Sequence, residues 1–304
     1  MTTAEIVKPK DESQLTGLSL KPSVLEKQLK YFELLIDQIQ KSLDNYLQSK
    51  RMAFPRLFFI SDDELLDLLA QAKNPYQLQT HMRKLFENVA QMEIVNNVQA
   101  GGLEIVSLMS EEGEKLQLVG SVKPRGTVTT WLKALEQKMR QSVAKELKQA
   151  LDGYQNYQSR NQWILNNLGQ CIIAGSQVFW CSYITEAIDG RSDLSEAGYG
   201  RLKGEASIFK DVGQGGSRKT SPLKLYFDKF EADLQNLIIL IKSNLTKLQR
   251  GAITALATIE THSRDTISEL IACRNLTSTD DFNFQKLQRY YYNPVEIEYP
   301  VYIR

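Results

Sequence analysis

One stretch of the sequence has the residue types and nearly the spacing of a phosphate-binding loop. In GQGGSRKT (213–220) a glycine precedes Lys219-Thr220 at the distance found in GxxxxGK[ST], a loop whose backbone N–H groups cradle phosphates. Arg218 stands where the second glycine is required, and its Cβ occupies space that the tight backbone turn needs. The segment before it, SIFKDV, is a weak candidate for a buried strand. We therefore predict a flexible loop that binds no nucleotide.

The other side chains that could do chemistry form no recognisable constellation. The three cysteines are widely spaced without a CxxC pair, and there are two histidines, so no structural zinc site or disulfide framework is predicted. The acidic runs at 62–64 and 111–114 suit a helix start and the solvated turn of a hairpin. No GxSxG elbow holds a nucleophile. The sequence predicts no catalytic residue, no metal and no cofactor.

Composition excludes some partners and permits a sizeable core. The chain has 304 residues, of which 42% are hydrophobic and 24% charged, and 37 Lys and Arg balance 36 Asp and Glu. A net charge of +1 gives no electrostatic drive toward nucleic acid or an anionic membrane surface. The N-terminus lacks the apolar region of a signal peptide, and the apolar stretches are shorter than the roughly 20 residues that span a bilayer. We predict neither nucleic acid nor membrane as a partner.

Apolar spacing indicates a mainly helical chain. Apolar residues four and three apart over 25–46 predict a long helix whose narrow seam packs against another helix. Pro55 ends that helix, RLFFIS (56–61) is strand-like, and Ser61 with Glu64 forms a capping box for the next helix. Further helices are expected over 75–92, from 127, over 161–188 with a possible break near Gly169, from 222, over 248–272 and near 279.

The period changes in one place. LEIVSLM (103–109) and KLQLVGSV (115–122) are rich in β-formers and flank SEEGE, which predicts a β-hairpin with Gly113 in its turn. Residues 189–221 carry many glycines without an apolar period and are expected to be flexible. Tyr290, Tyr291 and Tyr292 are expected on the terminal helix and its exit, and 295–303 is expected to be extended.

Seven segments, in order, make the chain resemble a known family. They are KRMAFPRLFFISDDELLDLLAQAKNP (50–75), HMRKLFENV (81–89), SLMSEEGEKLQL (107–118), VTTWLKALEQKM (128–139), NQWILNNLGQCIIAGSQVFWCSYITEAI (161–188), LTKLQRGAITALATIETHSRDTISELI (245–271) and DFNFQKLQRYYY (281–292). Together they resemble the dynein heavy chain, of axonemal type, in the linker region that precedes its AAA+ ring. The signature residues of this resemblance are Phe54, Pro55, Arg56, Phe58, Phe59, Trp131, Trp163 and Trp180. The sequence departs from the family pattern where Leu168 replaces a usual proline and Phe284 a usual tryptophan.

The resemblance implies a mainly α fold, an elongated arch of helical bundles with an inserted β-hairpin. We expect the following division: a flexible leader at 1–22, a helical linker subdomain at 23–93, the β-hairpin insertion at 94–126, a helical subdomain at 127–188, a flexible Gly-rich insertion at 189–221, a long helix pair at 222–276, and a terminal helix with an extended connector toward an AAA+ ring at 277–304. Because no phosphate-binding loop follows, we expect a fragment or a truncated gene product that does not hydrolyse ATP alone.

The implied function is mechanical: a dynein linker segment transmits the ATP-driven conformational change of a microtubule motor. The expected partners are the AAA+ ring, other dynein subunits and, indirectly, microtubules; the expected location is cytoplasmic and cytoskeletal, in the axoneme of a cilium or flagellum. A hairpin tip that projects from a helical rod is a natural contact point, so Glu111, Glu112, Glu114 and Lys115 are possible contacts with the ring or a partner. The alternative is a non-enzymatic helical scaffold or adaptor derived from a truncated dynein.

Overall fold

The structure is a computed structural model that describes residues 22–71, 74–97, 102–189, 221–273, 276, 278–296 and 299–304. The leader, the body of the Gly-rich segment (190–220) and the loop-like text at 213–220 lie outside the described residues. The described part is mainly α with small antiparallel sheets, which confirms the predicted fold class. It divides into two compact units, which end and begin at Ala70 and Gln71. The domain boundaries predicted from the sequence stay a prediction.

The first unit contains α1 (Pro22–Ala53), a 3-10 helix (Pro55–Phe59) and α2 (Asp62–Ala70). Pro55 ends α1, as predicted, because proline has no N–H to continue the helix. Arg51 stabilises the corner: its guanidinium contacts Asp62 at 2.6 Å and donates to the Ile60 carbonyl oxygen at 3.0 Å. The Ser61–Glu64 capping box is confirmed, with both reciprocal hydrogen bonds at 3.4 Å.

Two expectations for this unit are wrong. RLFFIS forms a 3-10 helix rather than a strand, and its period of three turns Phe54, Leu57 and Ile60 inward while Phe58 and Phe59 are 52% and 70% exposed. Within the described residues the apolar seam of α1 has no covering element, and its seven side chains are between 38% and 61% exposed. These are Leu25, Leu29, Phe32, Ile36, Ile39, Leu43 and Tyr46.

The second unit begins with α3 (Gln79–Leu85) and a three-stranded antiparallel sheet of β1 (Gln91–Asn97), β2 (Gly102–Met109) and β3 (Lys115–Val122). The predicted hairpin is confirmed as β2–β3, but the predicted helix over 75–92 is wrong. That helix ends at Leu85, and the chain continues into a third strand. Gln79 holds α3 against β1: its side-chain amide donates to the carbonyl of Met92 and accepts from the N–H of Met92, each at 3.2 Å. The buried residues of this segment lie three and four positions apart, a spacing that fits both the predicted continuous helix and the observed helix followed by a strand.

Most of the rest of this unit is helical. They are α4 (Val128–Gly153), α5 (Arg160–Asn166), α6 (Gly169–Asp189), α7 (Pro222–Ile241), α8 (Lys247–Ala272) and the short α9 (Phe282–Gln285). The expected break near Gly169 is confirmed. The chain closes with an antiparallel pair, β4 (Tyr290–Tyr292) and β5 (Val301–Ile303). The three tyrosines are therefore on a strand and not on the terminal helix, because their backbone pairs with 301–303.

Helix α6 is the centre of the hydrophobic core. Its length and composition would allow it to cross a membrane, yet 72% of its apolar window is buried inside the protein. α4, α7, α8 and β4 pack around it. Tyr154, Trp163 and Phe179 meet in an aromatic cluster, with ring centroids 4.4 to 6.0 Å apart. Such burial on every side is typical of a core helix.

Candidate interaction surface

The turn between β2 and β3 is built by short-range hydrogen bonds. Ser110 and Glu114 are joined by a backbone bond of 2.9 Å, and the Ser110 hydroxyl accepts from the Glu114 N–H at 3.0 Å. Gly113 has a φ of +91°, a left-handed conformation that suits glycine, as predicted for the turn. These hydrogen bonds therefore give the turn a defined conformation.

The four acidic and basic residues predicted as contacts have different surroundings. Glu111 and Glu112 are exposed, and Glu111 has an exposed partner, Arg83, at 3.3 Å. Lys115 pairs with Glu93 at 2.6 Å. The hydrogen bonds of Lys115 and of Ser107 lower the pKa of Glu93 below its ordinary value. Two residues of the tip thus face outward, and the contact role of all four stays a prediction.

Glu114 points inward instead. Its Oε1 accepts a hydrogen bond of 2.8 Å from the backbone N–H of Gly169, the first residue of α6. That N–H has no partner within the helix, and a carboxylate complements the positive end of the helix dipole. A side chain at position 169 would also meet Ala252 at 3.4 Å, so the turn, α6 and α8 converge here. Sequence reasoning treated Glu114 as an ordinary solvated charge and missed this role.

The signature residues of the family resemblance have structural surroundings. In the first unit, Phe54 is 1% exposed and Pro55 starts the 3-10 helix, while Arg56 is half-buried and Phe58 and Phe59 are exposed. The three tryptophans are buried in the second unit, on α4, α5 and α6 respectively. Trp163 donates to the Ala150 carbonyl oxygen at 2.9 Å. The indole nitrogens of Trp131 and Trp180 have no acceptor within the part of the chain that the structure describes.

A buried ion pair, missed by sequence reasoning, joins α5 to α8. Glu260 is 1% exposed and accepts two hydrogen bonds from the guanidinium of Arg160, one of them at 3.1 Å. Burial works to lower the pKa of Arg160, but the charge and hydrogen bonds of Glu260 hold that pKa above its ordinary value. The signal was present in the sequence: Glu260 falls on the apolar stripe of its helix, between Leu256 and Ile267.

An open groove of about 1310 Å³ lies beside the β2–β3 turn. α6 and α8 form its floor, with Ile173, Ala174 and Trp180 from the first and Gly251, Ala252, Ala255, Ile259 and His262 from the second. Met139 and Val143 of α4 contribute, and the turn with Glu87 forms one rim. The groove is therefore largely apolar inside and charged at its edge.

The described residues form no cluster of metal ligands, and two of the three cysteines are buried. No group of three or more His, Cys, Asp or Glu side chains is placed to hold a metal anywhere in the described ranges. Burial raises the pKa of the Cys171 thiol to about 12 and that of Cys181 to about 11, so both are poor nucleophiles near neutral pH. Glu111, Glu112 and the groove beside them are the features that a partner protein could contact.

Comparison with known proteins gives the family. The sequence model of the family described as "Dynein heavy chain, N-terminal region 2" matches residues 5–150. Human dynein axonemal heavy chain 1 is 35% identical over 258 residues, which is 85% of this chain and 5% of that protein. Human dynein axonemal heavy chain 12 is 32% identical over 286 residues, or 93% of this chain and 8% of that protein.

A third relative, human dynein axonemal heavy chain 6, is 32% identical over 275 residues, covering 85% of this chain and 6% of that protein. The chain thus spans between 5% and 8% of the length of these three relatives. The order of its helices, the β2–β3 hairpin and the family match agree with the resemblance drawn from the seven segments. The chain belongs to the dynein heavy chain family and corresponds to its N-terminal, linker region.

Proposed function

We propose that this chain acts as a linker segment of a dynein heavy chain, a mechanical element that transmits the ATP-driven conformational change of a microtubule motor. The observation that supports this best is the continuous core of the second unit. Four helices of 20 to 26 residues pack together in it, with α6 buried between the others. A close-packed core resists compression and transmits strain, which a force-bearing element requires.

Two long-range contacts support the same proposal. The Arg160–Glu260 pair joins elements 100 residues apart, and the Glu114–Gly169 hydrogen bond joins the sheet to α6 across 55 residues. Each contact fixes one element relative to another by a charge-assisted hydrogen bond, which is stronger than a neutral one. A displacement of the sheet would then be transmitted to the helices, because these contacts restrict movement between the elements.

The proposed partners follow from the family. They are the AAA+ ring of a dynein heavy chain, other dynein subunits and, through these, microtubules. The proposed contact lies at the tip, through the exposed Glu111, Glu112 and Lys115 beside the inward-pointing Glu114. Since the relatives are named as axonemal heavy chains, we propose the axoneme of a cilium or flagellum as the location. We further propose that this chain alone hydrolyses no ATP and binds no cofactor.

A motor assay tests the proposal. A recombinant dynein heavy chain would carry this segment in place of its own linker residues, and both microtubule gliding and ATP hydrolysis would be measured. We expect gliding to continue with this segment and to stop when the segment is deleted, while ATP hydrolysis persists in both. Hydrolysis without gliding in the exchanged motor would favour the scaffold or adaptor alternative. Phosphate release by the isolated chain would contradict the proposal that it is not an enzyme.

A further inference from the structure

The floor of the groove beside the β2–β3 turn is shaped for a helix. On α8 the exposed Gly251 and Ala255 follow each other four residues apart, with Ile259 and His262 continuing the same face. Small residues four positions apart let the backbone of a second helix approach closely, because the distance between helix axes depends on the side chains at the contact. From Gly251 to Thr266 this face extends for about 22 Å at 1.5 Å per residue, which matches about four turns of a partner helix.

The charges at the edge are unequal. Glu111 and Glu112 are exposed on the turn, and Glu87 is exposed on the segment that follows α3. Arg83 offsets one of these charges through its contact with Glu111. Lys247 stands on the α8 side. The rim near the sheet therefore has an excess of negative charge beside an apolar floor. Complementary charge at an interface selects a partner of opposite sign and fixes its orientation.

From these two observations we infer that the groove is a docking site for a basic amphipathic helix of a partner protein. The small and apolar face of that helix lies on α6 and α8, and its lysines or arginines face Glu87 and Glu112. The inference does not rest on the motor function proposed above, because it concerns only the surface of the second unit.

A binding measurement with the full chain tests this inference. The probe is a fluorescein-labelled 18-residue peptide of Ala, Leu and Lys, with the lysines on one helical face, and fluorescence anisotropy gives its Kd. The chain should bind this peptide and should bind a version with Glu in place of Lys about tenfold more weakly, or not at all. Gly251→Leu should weaken binding about tenfold, a change of about 1.4 kcal/mol, because it fills the floor.

Two features keep the test decisive. A Cβ at position 251 meets nothing within 4 Å, and leucine favours a helix over glycine, so Gly251→Leu should remain folded. Glu87→Lys with Glu112→Lys should also weaken binding, whereas Glu231→Lys with Glu269→Lys makes the same charge change at exposed positions of α7 and α8 outside the groove lining. Equal losses from the two charge pairs, unchanged binding by Gly251→Leu, or no binding of the basic peptide would overturn the inference.

Discussion

The carboxylate of Glu114 accepts a hydrogen bond of 2.8 Å from the backbone N–H of Gly169. One residue belongs to a β-turn and the other begins the central helix of the core, so a side chain of the sheet takes the place of an N-cap residue for α6. The Cβ space of Gly169 is bounded by Ala252 at 3.4 Å and by Glu114 Oε1 at 3.6 Å. These distances are ordinary van der Waals contacts, so the convergence of the turn and the helices depends on the Glu114 carboxylate rather than on glycine at position 169.

We expect Glu114→Ala to lower the free energy of unfolding by about 0.5–2 kcal/mol, the usual cost of losing a helix cap. The helix-terminal N–H loses its acceptor, and the helix dipole loses a complementary charge. Urea denaturation followed by circular dichroism measures the difference. Glu112→Ala is the matched control: this exposed neighbour should change stability by less than about 0.5 kcal/mol. Equal effects of the two substitutions would contradict the capping role.

We expect Glu260→Gln to destabilise the second unit by about 3–5 kcal/mol, since it leaves the largely buried Arg160 guanidinium without its counter-charge. The double variant Arg160→Met with Glu260→Leu should recover much of this loss, because no charge then remains buried. Chemical denaturation of Arg160→Met, Glu260→Leu and the double variant gives the coupling energy. A double variant as unstable as the sum of both single variants would show that the two side chains do not act as a pair.

Two glycines of the second unit should respond in opposite directions to alanine. A Cβ at Gly175 would lie 3.1 Å from the ring of Trp163, which is buried and hydrogen-bonded to Ala150, so the ring cannot move aside. Gly175→Ala should therefore cost about 1–3 kcal/mol. Gly251→Ala meets nothing within 4 Å and should stabilise by about 0.5–1 kcal/mol. Thermal melting distinguishes them, and stabilisation by Gly175→Ala would show that this core is loose.

The cysteines should differ in reactivity. Burial raises the pKa of Cys171 to about 12 and of Cys181 to about 11, and Cys181 also accepts a hydrogen bond from the Tyr290 N–H at 3.1 Å. At pH 8 a disulfide reagent should label Cys273, which is partly exposed, and should label the other two only after unfolding. Rapid labelling of all three thiols in the folded chain would contradict this.

The same two thiols should make stability fall at high pH. Their pKa values in the folded chain lie above the ordinary 9.0, so the folded state holds its protons more tightly than the unfolded state. Their contribution is fully present below about pH 9 and is lost as the pH rises through about 11 and 12. Denaturation at increasing pH, with Cys171→Ala and Cys181→Ala variants as controls, measures this share of the loss.

In the first unit, alanine substitutions of Phe54 and Phe58 should have different effects on stability, although both residues lie in the segment FPRLFF. Phe54 is 1% exposed, so Phe54→Ala should cost about 3–5 kcal/mol. Phe58 is 52% exposed and contacts Arg51 through its ring, so Phe58→Ala should cost less than about 1 kcal/mol. Hydrogen exchange of the α2 amides reports on this unit. A larger loss from Phe58→Ala would mean that its ring is buried in solution.

The sequence by itself determined the helical character, the β2–β3 hairpin and the family. Apolar spacing of three and four, the Ser61–Glu64 capping box and Pro55 act within a few residues, so they can be recognised without the fold. The same local signals misassigned β1 and the segment after Pro55. In both places buried residues recur every three or four positions, a spacing that a helix, a strand joined to a helix and a 3-10 helix can all satisfy.

Tertiary structure alone decided the contacts that give this region its possible functions. Whether Glu114 is solvated or caps α6, and whether Arg160 pairs with Glu260, depend on residues 55 and 100 positions away. Whether Gly251 faces a groove or a core also depends on elements that are distant in the sequence. A charge has no fixed role in a sequence, because its energy depends on the dielectric and the partners that surround it after folding. The apolar seam of α1 is a further example. Its strict spacing predicts a helix, but only the fold shows whether another helix covers the seam.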